Sequence, residues 1–556
     1  MPIVCQMSAI LSARPASNLD IAVIGAGMGG LAAAIRLAAS GARVTVFEAA
    51  ERAGGKASGE RLGSSGLELD AGPTVLTLPD VFESLFEAAG ARLAERVTLR
   101  PATVLARHFW RDGVRLDLFS EPARTRQGIV DTFGEGEGRG YDRFVRHAAA
   151  ILGLVEGPFI RSQRPTVWRT LRSFGLSGLT DVMRIDALRS LWTALGDFFE
   201  TPHLRQLFAR YATYVGSSPL QAPATLAVIA GVELAGVYTV EGGIRQLVAA
   251  LVTLAGEVGV EIRTSAPVAE IDVAGGRVVG VRLSDGRLHR ASAVVANVDP
   301  TALTRGLLGA ASARAVEVKG ERSLSAVTFT GLLEAEPSRG AQREGPELTH
   351  HNVFFAADAV AEARSMFEHG VTPAEPTLYL CAQDRPPEER SSPAQRPERV
   401  LALVNAAAID ARPAGRSDPG TTSGDNRAWS TKSSATAQLT TLSTRLGLPI
   451  RWLETASVRL PADWEALSPG SGGSLYGRAS HGWRQAFLRP GARTKLTGLY
   501  LAGGAIHPGA GLPMATLSGA RAAEALLEDL ASMRPSMTTA TPGGTSMSSR
   551  TTDDTR

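Results

Sequence analysis

The chain has 556 residues, 44% hydrophobic and 20% charged, enough for a large core and about two to four domains or subdomains. A net charge of only +3, with no basic block interleaved with aromatics, argues against a nucleic-acid binder. Two cysteines, Cys5 and Cys381, and nine histidines without HExxH or similar spacing exclude a disulfide framework and a cysteine-rich metal site. The expected compartment is the reducing cytosol, and no metal is expected.

Residues 1–18 lack a basic n-region and a long apolar core, so they read as a flexible extension and not as a signal peptide. An apolar run at 20–23 leads into glycines at Gly25, a helical pattern follows over 31–40, and Gly41 ends it. Residues 43–47 read as a second strand, which completes a βαβ unit of about 30 residues. Residues 160–215 read as mostly helical, with Trp168, Leu171, Phe174, Trp192 and Phe199 at mixed three- and four-residue spacings. The aromatics of 168–199 suit either a tunnel lining or ordinary core. The apolar run 225–237 is too short for the roughly 18–20 residues of a membrane span and carries Glu233, which suits a polar tunnel group or an exposed face.

A helix is expected over 243–260, leading into strands at 261–264, 268–273, 278–283 and 293–296, with turns at Gly275-Gly276 and Asp285-Gly286. Residues 411–435, rich in Ser, Thr, Gly, Pro and Asp, read as a flexible insertion, and 533–556 as a disordered tail.

Gly25, Gly27 and Gly30 stand in GxGxxG spacing between strand and helix. Gly25 permits the tight turn, Gly27 lets a pyrophosphate approach the backbone, and Gly30 lets the helix pack close to the sheet. The helix start offers free N–H groups to the phosphates. Glu48 ends the second strand, 18 residues after Gly30, where its carboxylate can accept from ribose hydroxyls; this disfavours NADP and leaves FAD and NAD open.

Gly54-Gly55-Lys56 offers another close backbone approach, with Lys56 placed to neutralise phosphate or stand near a flavin; an ordinary surface turn is the alternative. Asp70, Ala71, Gly72, Pro73 and Thr74 follow an apolar strand and could be a simple loop. The C-terminal stretch 498–526 holds a short strand, a turn at Gly503-Gly504, and a helix from Pro513 whose start suits the electron-rich edge of a reduced flavin.

Taken together, these motifs resemble the amine-oxidase-like FAD superfamily, and within it the bacterial phytoene desaturase-type carotenoid desaturases. The stretches 502–504 and His507 to Gly511, then Pro513-Met514 and Leu517-Ser518-Gly519, look most like hydroxyneurosporene desaturases, which act on 1-hydroxycarotenoids. The resemblance implies an α/β fold: a Rossmann-like, GR2-type FAD-binding domain with an interleaved substrate domain of mixed sheet and helices. The FAD-binding domain is expected at 19–100, 240–300 and 495–532, and the substrate-binding and helical domain at 101–239 and 301–494.

It also implies FAD contacts at Gly25, Gly27, Gly30, Glu48, Gly55, Lys56, Gly72, Pro73, Thr74, Gly504, Ala505, Pro513 and Met514, with Val268 reaching the adenine through its backbone. His507 is the candidate base, and is equally placed to order its loop by a hydrogen bond to backbone. The expected activity is removal of two hydrogens from an acyclic carotenoid, at C3–C4 of a 1-hydroxycarotenoid. The alternatives are phytoene desaturation, another amine-oxidase-like flavoprotein, or a flavin- or NAD-binding escort without turnover. A polyene substrate implies a protein peripherally attached to the cytoplasmic membrane from the cytosolic side.

Overall fold

The apolar runs at both ends of the chain meet in one parallel sheet. In a computed structural model, which describes residues 19–62, 66–165, 184–333, 346–386, 397–409, 429–448 and 457–532, the five-stranded sheet runs Glu261–Arg263, Arg43–Phe47, Asp20–Ile24, Ala293–Ala296, Leu499–Leu501. All four pairings are parallel. The strands read as nearly continuous apolar runs because both faces are covered. Ile21, Val23, Val44 and Val46 pack under the helices Met28–Ala39, Ile244–Glu257 and Leu512–Ser532. Ala22, Ile24, Val294 and Ala296 pack under an antiparallel layer of Val268–Ala274, Arg277–Leu283 and Leu288–Arg290.

The second body is a seven-stranded mixed sheet in the order Ser457–Arg459, Ser325–Leu333, Glu398–Ala406, Leu378–Ala382, His351–Phe354, Val104–Phe109, Arg115–Phe119. Its pairings are antiparallel except that of His351–Phe354 with Val104–Phe109. Helices Glu135–Val155, Pro202–Ala209 and Val228–Leu234 close on it through a core that includes Phe144, Phe199 and Phe208.

Three expectations change here. The boundary at 239/240 falls inside the strand Val237–Val240, which pairs with Leu76–Thr77 and with Leu99–Pro101 and so ties the two bodies together. Of the stretch 160–215, residues 166–183, with Trp168, lie outside the described residues; the rest holds the short helices Leu191–Leu195 and Pro202–Ala209 and a 3₁₀ stretch Arg210–Val215. The insertion expected at 411–435 is partly folded. Residues 411–428 lie outside the described part, but Trp429 is buried and donates Nε1–H to the Pro373 carbonyl. Thr431 then caps the helix Lys432–Arg445, accepting from Ser434 N–H, and Ala435 is buried beneath it. Residues 1–18 and 533–556 also lie outside the described part.

Candidate active site

The first strand ends in Gly25 at φ +90°, a conformation that favours glycine. A β-carbon on Gly30 would stand 2.0 Å from the Gly25 carbonyl oxygen, so the helix can return over the turn only with glycine there. Glu48 comes to the same loop from the second strand. Its Oε2 accepts from the Ala26 N–H at 2.7 Å and its Oε1 from the Ala50 N–H at 2.9 Å, which fixes the buried carboxylate beside the glycines.

Two further segments complete that wall. Gly54 donates its N–H to the Ala26 carbonyl, and a β-carbon on Gly72 would stand 1.9 Å from the Lys56 carbonyl oxygen. The segments 54–57 and 72–74 therefore lie backbone against backbone. Lys56 is half-buried and donates from Nζ to the Leu475 carbonyl at 3.1 Å; desolvation pulls its pKa below the ordinary value, and the Asp299 charge opposes this. Asp70 holds the segment in place by accepting from the N–H groups of Ile244 and Arg245, at the start of the helix Ile244–Glu257.

From the other chain end, Gly503 (φ +112°) abuts Asn297, whose Oδ1 would be 2.6 Å from a β-carbon there. Asn297 Nδ2 donates to the Gly25 carbonyl at 3.3 Å. This asparagine, directly after the strand Ala293–Ala296, thus bridges the two glycine turns. The sequence reading missed it, although its position at the carboxyl end of a central parallel strand marks a ligand crevice in such sheets. It also missed Arg489, which is buried among carbonyls and donates to Gly504 O at 3.0 Å and Tyr476 O at 3.1 Å. Burial lowers the Arg489 pKa to about 10.

These segments enclose a cavity of about 1090 Å³. Gly25, Gly27, Glu48, Gly55, Lys56, Gly72, Pro73, Thr74, Val268, Gly504, Ala505, Pro513 and Met514 all line it. Gly30 does not, and its place is the helix–turn contact described above. Beyond these residues the cavity continues between apolar side chains such as Phe159, Ile160, Ile229 and Phe487, and reaches Leu188, which is 82% exposed and so marks an opening. Glu233 lines the cavity instead of an exposed face.

His507 does not line this cavity. Its ring is 3% exposed, packs edge-on against Phe159 at 5.2 Å, and its Nε2 donates to the Ser162 carbonyl at 3.2 Å. Burial lowers its pKa to about 4, which keeps it neutral at pH 7. The geometry gives it the loop-ordering place. Metal-ligand spacing is absent from the sequence, yet the fold gathers three ligand-type side chains: His351 lies opposite Cys381 in the sheet, and with His350 their candidate ligand atoms fall within 4.8 Å of one another.

The donor set fits a flavin dinucleotide. Two helix starts, at Met28 and at Leu512, face one cavity and bring unpaired N–H groups to it. A ribose-type acid stands beside the first of them, and the second follows a glycine turn.

The fold and this cavity define a flavin-dependent oxidoreductase. The chain belongs to the flavin-containing amine oxidoreductase family, whose model matches residues 28–327 and 434–527, and FAD is its cofactor. Among curated relatives, the hydroxyneurosporene desaturase of Rubrivivax gelatinosus is 41% identical over 97% of this chain and 99% of its own length. That of Cereibacter sphaeroides is 40% identical over 92% and 98%. A 4,4'-diapolycopene oxygenase of a Methylomonas species is 30% identical over 92% and 99%. Among solved structures, an oxidoreductase from Methanosarcina mazei has a TM-score of 0.57 at 16% identity, covering 91% of this chain and 100% of its own. A putrescine oxidase with bound putrescine has a TM-score of 0.55 at 15% identity, covering 92% and 99%. These two share the fold.

Proposed function

We propose that this enzyme desaturates an acyclic carotenoid carrying a hydroxyl at C1, placing a new double bond between C3 and C4. The observation that carries the reading is the cavity itself: one continuous space runs from the dinucleotide loops, past apolar walls, to the exposed Leu188. Such a space suits a long apolar chain, and the near full-length likeness to hydroxyneurosporene desaturases supports the substrate class.

FAD, when bound, supplies the two-electron acceptor for the hydrogen lost from the allylic carbon. The chain's glycine turns at Gly25, Gly27 and Gly504 would admit the cofactor, Glu48 would accept from its ribose hydroxyls, and the Leu512 helix start would meet its electron-rich edge. Lys56 and Thr74 stand on the same wall, and Val268 completes the dinucleotide end. The apolar walls align the polyene and exclude water, which are the protein's main tasks here. Positive charge on a conjugated chain would spread over it and acidify the neighbouring C–H, so a weakly basic acceptor would suffice for the second hydrogen and no strong base is required of the protein. The neutral His507 ring, turned to the Ser162 carbonyl, is accordingly a positioning residue for the loop 507–511.

Among the described residues no helix is long and apolar enough to cross a membrane. A polyene dissolves in lipid and hardly in water, so the cavity mouth at Leu188 takes its substrate from a membrane surface. The test is to offer phytoene, neurosporene and 1-hydroxyneurosporene separately in liposomes, with simple amines as a control. A red-shifted polyene spectrum with preference for the hydroxylated compound is expected. Conversion of phytoene without that preference, or oxidation of amines alone, overturns the reading.

A further inference from the structure

One stretch of the cavity wall is polar. Arg210, Tyr214, Glu233 and Tyr379 line the large cavity and also a second, small one of about 30 Å³ directly behind them. They form a partition between the two. We propose that this partition, with Arg210, Tyr214 and Glu233 at its centre, is the subsite that receives the substrate's C1 hydroxyl. The assignment rests on the 1-hydroxycarotenoid reading above and names the group that reading requires.

The partition is a connected network. Arg210 donates from Nη1 to the Tyr214 hydroxyl at 2.7 Å. Glu233 Oε2 accepts from the Tyr211 hydroxyl at 2.6 Å, and the Tyr211 ring packs edge-on against that of Tyr214 with centroids 5.5 Å apart. Beside it, the Tyr379 hydroxyl lies 2.6 Å from Thr74 Oγ1 and 2.7 Å from His351 Nδ1. Two features leave it open to a ligand. Among the described residues no carboxylate comes within salt-bridge distance of Arg210, whose guanidinium donates to the Tyr214 hydroxyl, lies 5.0 Å from the Tyr214 ring and 5.6 Å from the Tyr379 ring, and lines both cavities. His351, also on the small cavity and 1% exposed, has no hydrogen-bond partner for Nε2. Buried polar atoms without partners are uncommon in folded chains.

The chemistry matches an alcohol. A hydroxyl donates once and accepts, and here a carboxylate and cationic N–H groups stand side by side. The location matches as well. C1 is two bonds from C3, so whatever reads the hydroxyl must stand beside the cofactor and not at the far end of the tunnel. Thr74 satisfies that: it belongs to the segment packed backbone to backbone on Lys56 and is also bonded into the network. A chain lacking the hydroxyl would press methyl groups against the remaining polar atoms of Arg210 and Glu233 and offer them no hydrogen bond in place of the water it displaces. Sites built on that principle discriminate by factors on the order of 10⁴.

The experiment uses the FAD-loaded enzyme and two probes, 1-hydroxyneurosporene and neurosporene. Binding is read as partition from liposomes onto anaerobic, dithionite-reduced enzyme, which cannot turn over. Turnover is read as single-turnover bleaching of the oxidised flavin. Tyr214→Phe and Glu233→Gln are each expected to weaken retention of the hydroxylated probe by about tenfold or more, leave neurosporene within about twofold, and keep the flavin content. The preference in bleaching rate should fall in parallel. If one variant fails to fold, the other decides. A folded variant that holds the wild-type preference within about twofold in both readouts overturns this assignment alone. A wild-type enzyme with no preference between the probes overturns the substrate reading beneath it.

Discussion

A β-carbon on Gly519 would stand 2.0 Å from the carbonyl oxygen of Gly29. The helices Met28–Ala39 and Leu512–Ser532 therefore touch backbone to backbone, close to the point where both helix starts face the cavity. The closeness is set by the glycines: Gly29 in turn has Gly503 N at 2.7 Å from its own β-position. A backbone carbonyl in a helix cannot step aside as a side chain can. Gly519→Val is expected to cost about 3 kcal/mol through overpacking and to lower FAD affinity with it. Urea unfolding of the FAD-free and FAD-loaded protein checks this; an unchanged midpoint would remove the contact from any role in cofactor binding.

Gly27→Val tests the cofactor loop itself. At this position a β-carbon would meet Asn297 Nδ2 at 2.8 Å, and the cavity wall that Gly27 forms would be filled. Because Asn297 is a side chain and can turn away, the protein is expected to stay folded while losing its flavin. Near-native circular dichroism with absent absorbance at flavin wavelengths is the expected result. Full yellow absorbance would show that this loop does not carry the dinucleotide.

What could be read from the residues and what could not divide along a physical line. Gly25, Gly30 and Glu48 were legible because each needs only its local strand–turn–helix frame to have meaning. Asn297 was not, since its role exists only once the strands Asp20–Ile24 and Ala293–Ala296 pair and set it against Gly25. The polar partition was equally hidden, because Arg210 and Tyr214, Glu233 and Tyr379 come from three separate elements. His507 suggested a base by its place in the C-terminal motif, but its ring turns toward Ser162, 345 residues earlier in the chain. The imperfect periodicity of 160–215 also has a cause: Phe198, Phe199, Phe208 and Tyr211 surround Phe144 and one another from several sides, so no single helical stripe describes them.

Leu188 is one point at which the cavity meets solvent. It is 82% exposed while lining the apolar space, and Ile185 and Ala187 beside it line the same space. An apolar mouth of this kind is expected to sit against lipid. Leu188→Glu should reduce flotation with liposomes and slow turnover of carotenoid presented in liposomes, while turnover of the same carotenoid in detergent micelles changes much less. Equal loss in both carriers would point to a role inside the tunnel and not at the membrane.

The buried histidines make the fold acid-sensitive in a defined window. Burial lowers the pKa of His108 to about 3 and of His507 to about 4, and lowers those of His350 and His351 as well. In the unfolded chain each imidazole takes up its proton near the ordinary value of about 6.5. Between those values the unfolded state holds more protons, so stability rises with pH there. The contribution of His507 is therefore fully present above about pH 6.5 and is lost as the pH falls from there toward 4. The size of that loss is on the order of 3 kcal/mol for this one ring. His507→Asn keeps a side-chain N–H for the Ser162 carbonyl but has nothing to titrate. Its stability difference between pH 7 and pH 4 is expected to be smaller than that of the wild type by about that amount, measured by urea unfolding at each pH. Parallel losses in the two proteins would mean that the His507 ring takes up its proton in the folded state as readily as in the unfolded one.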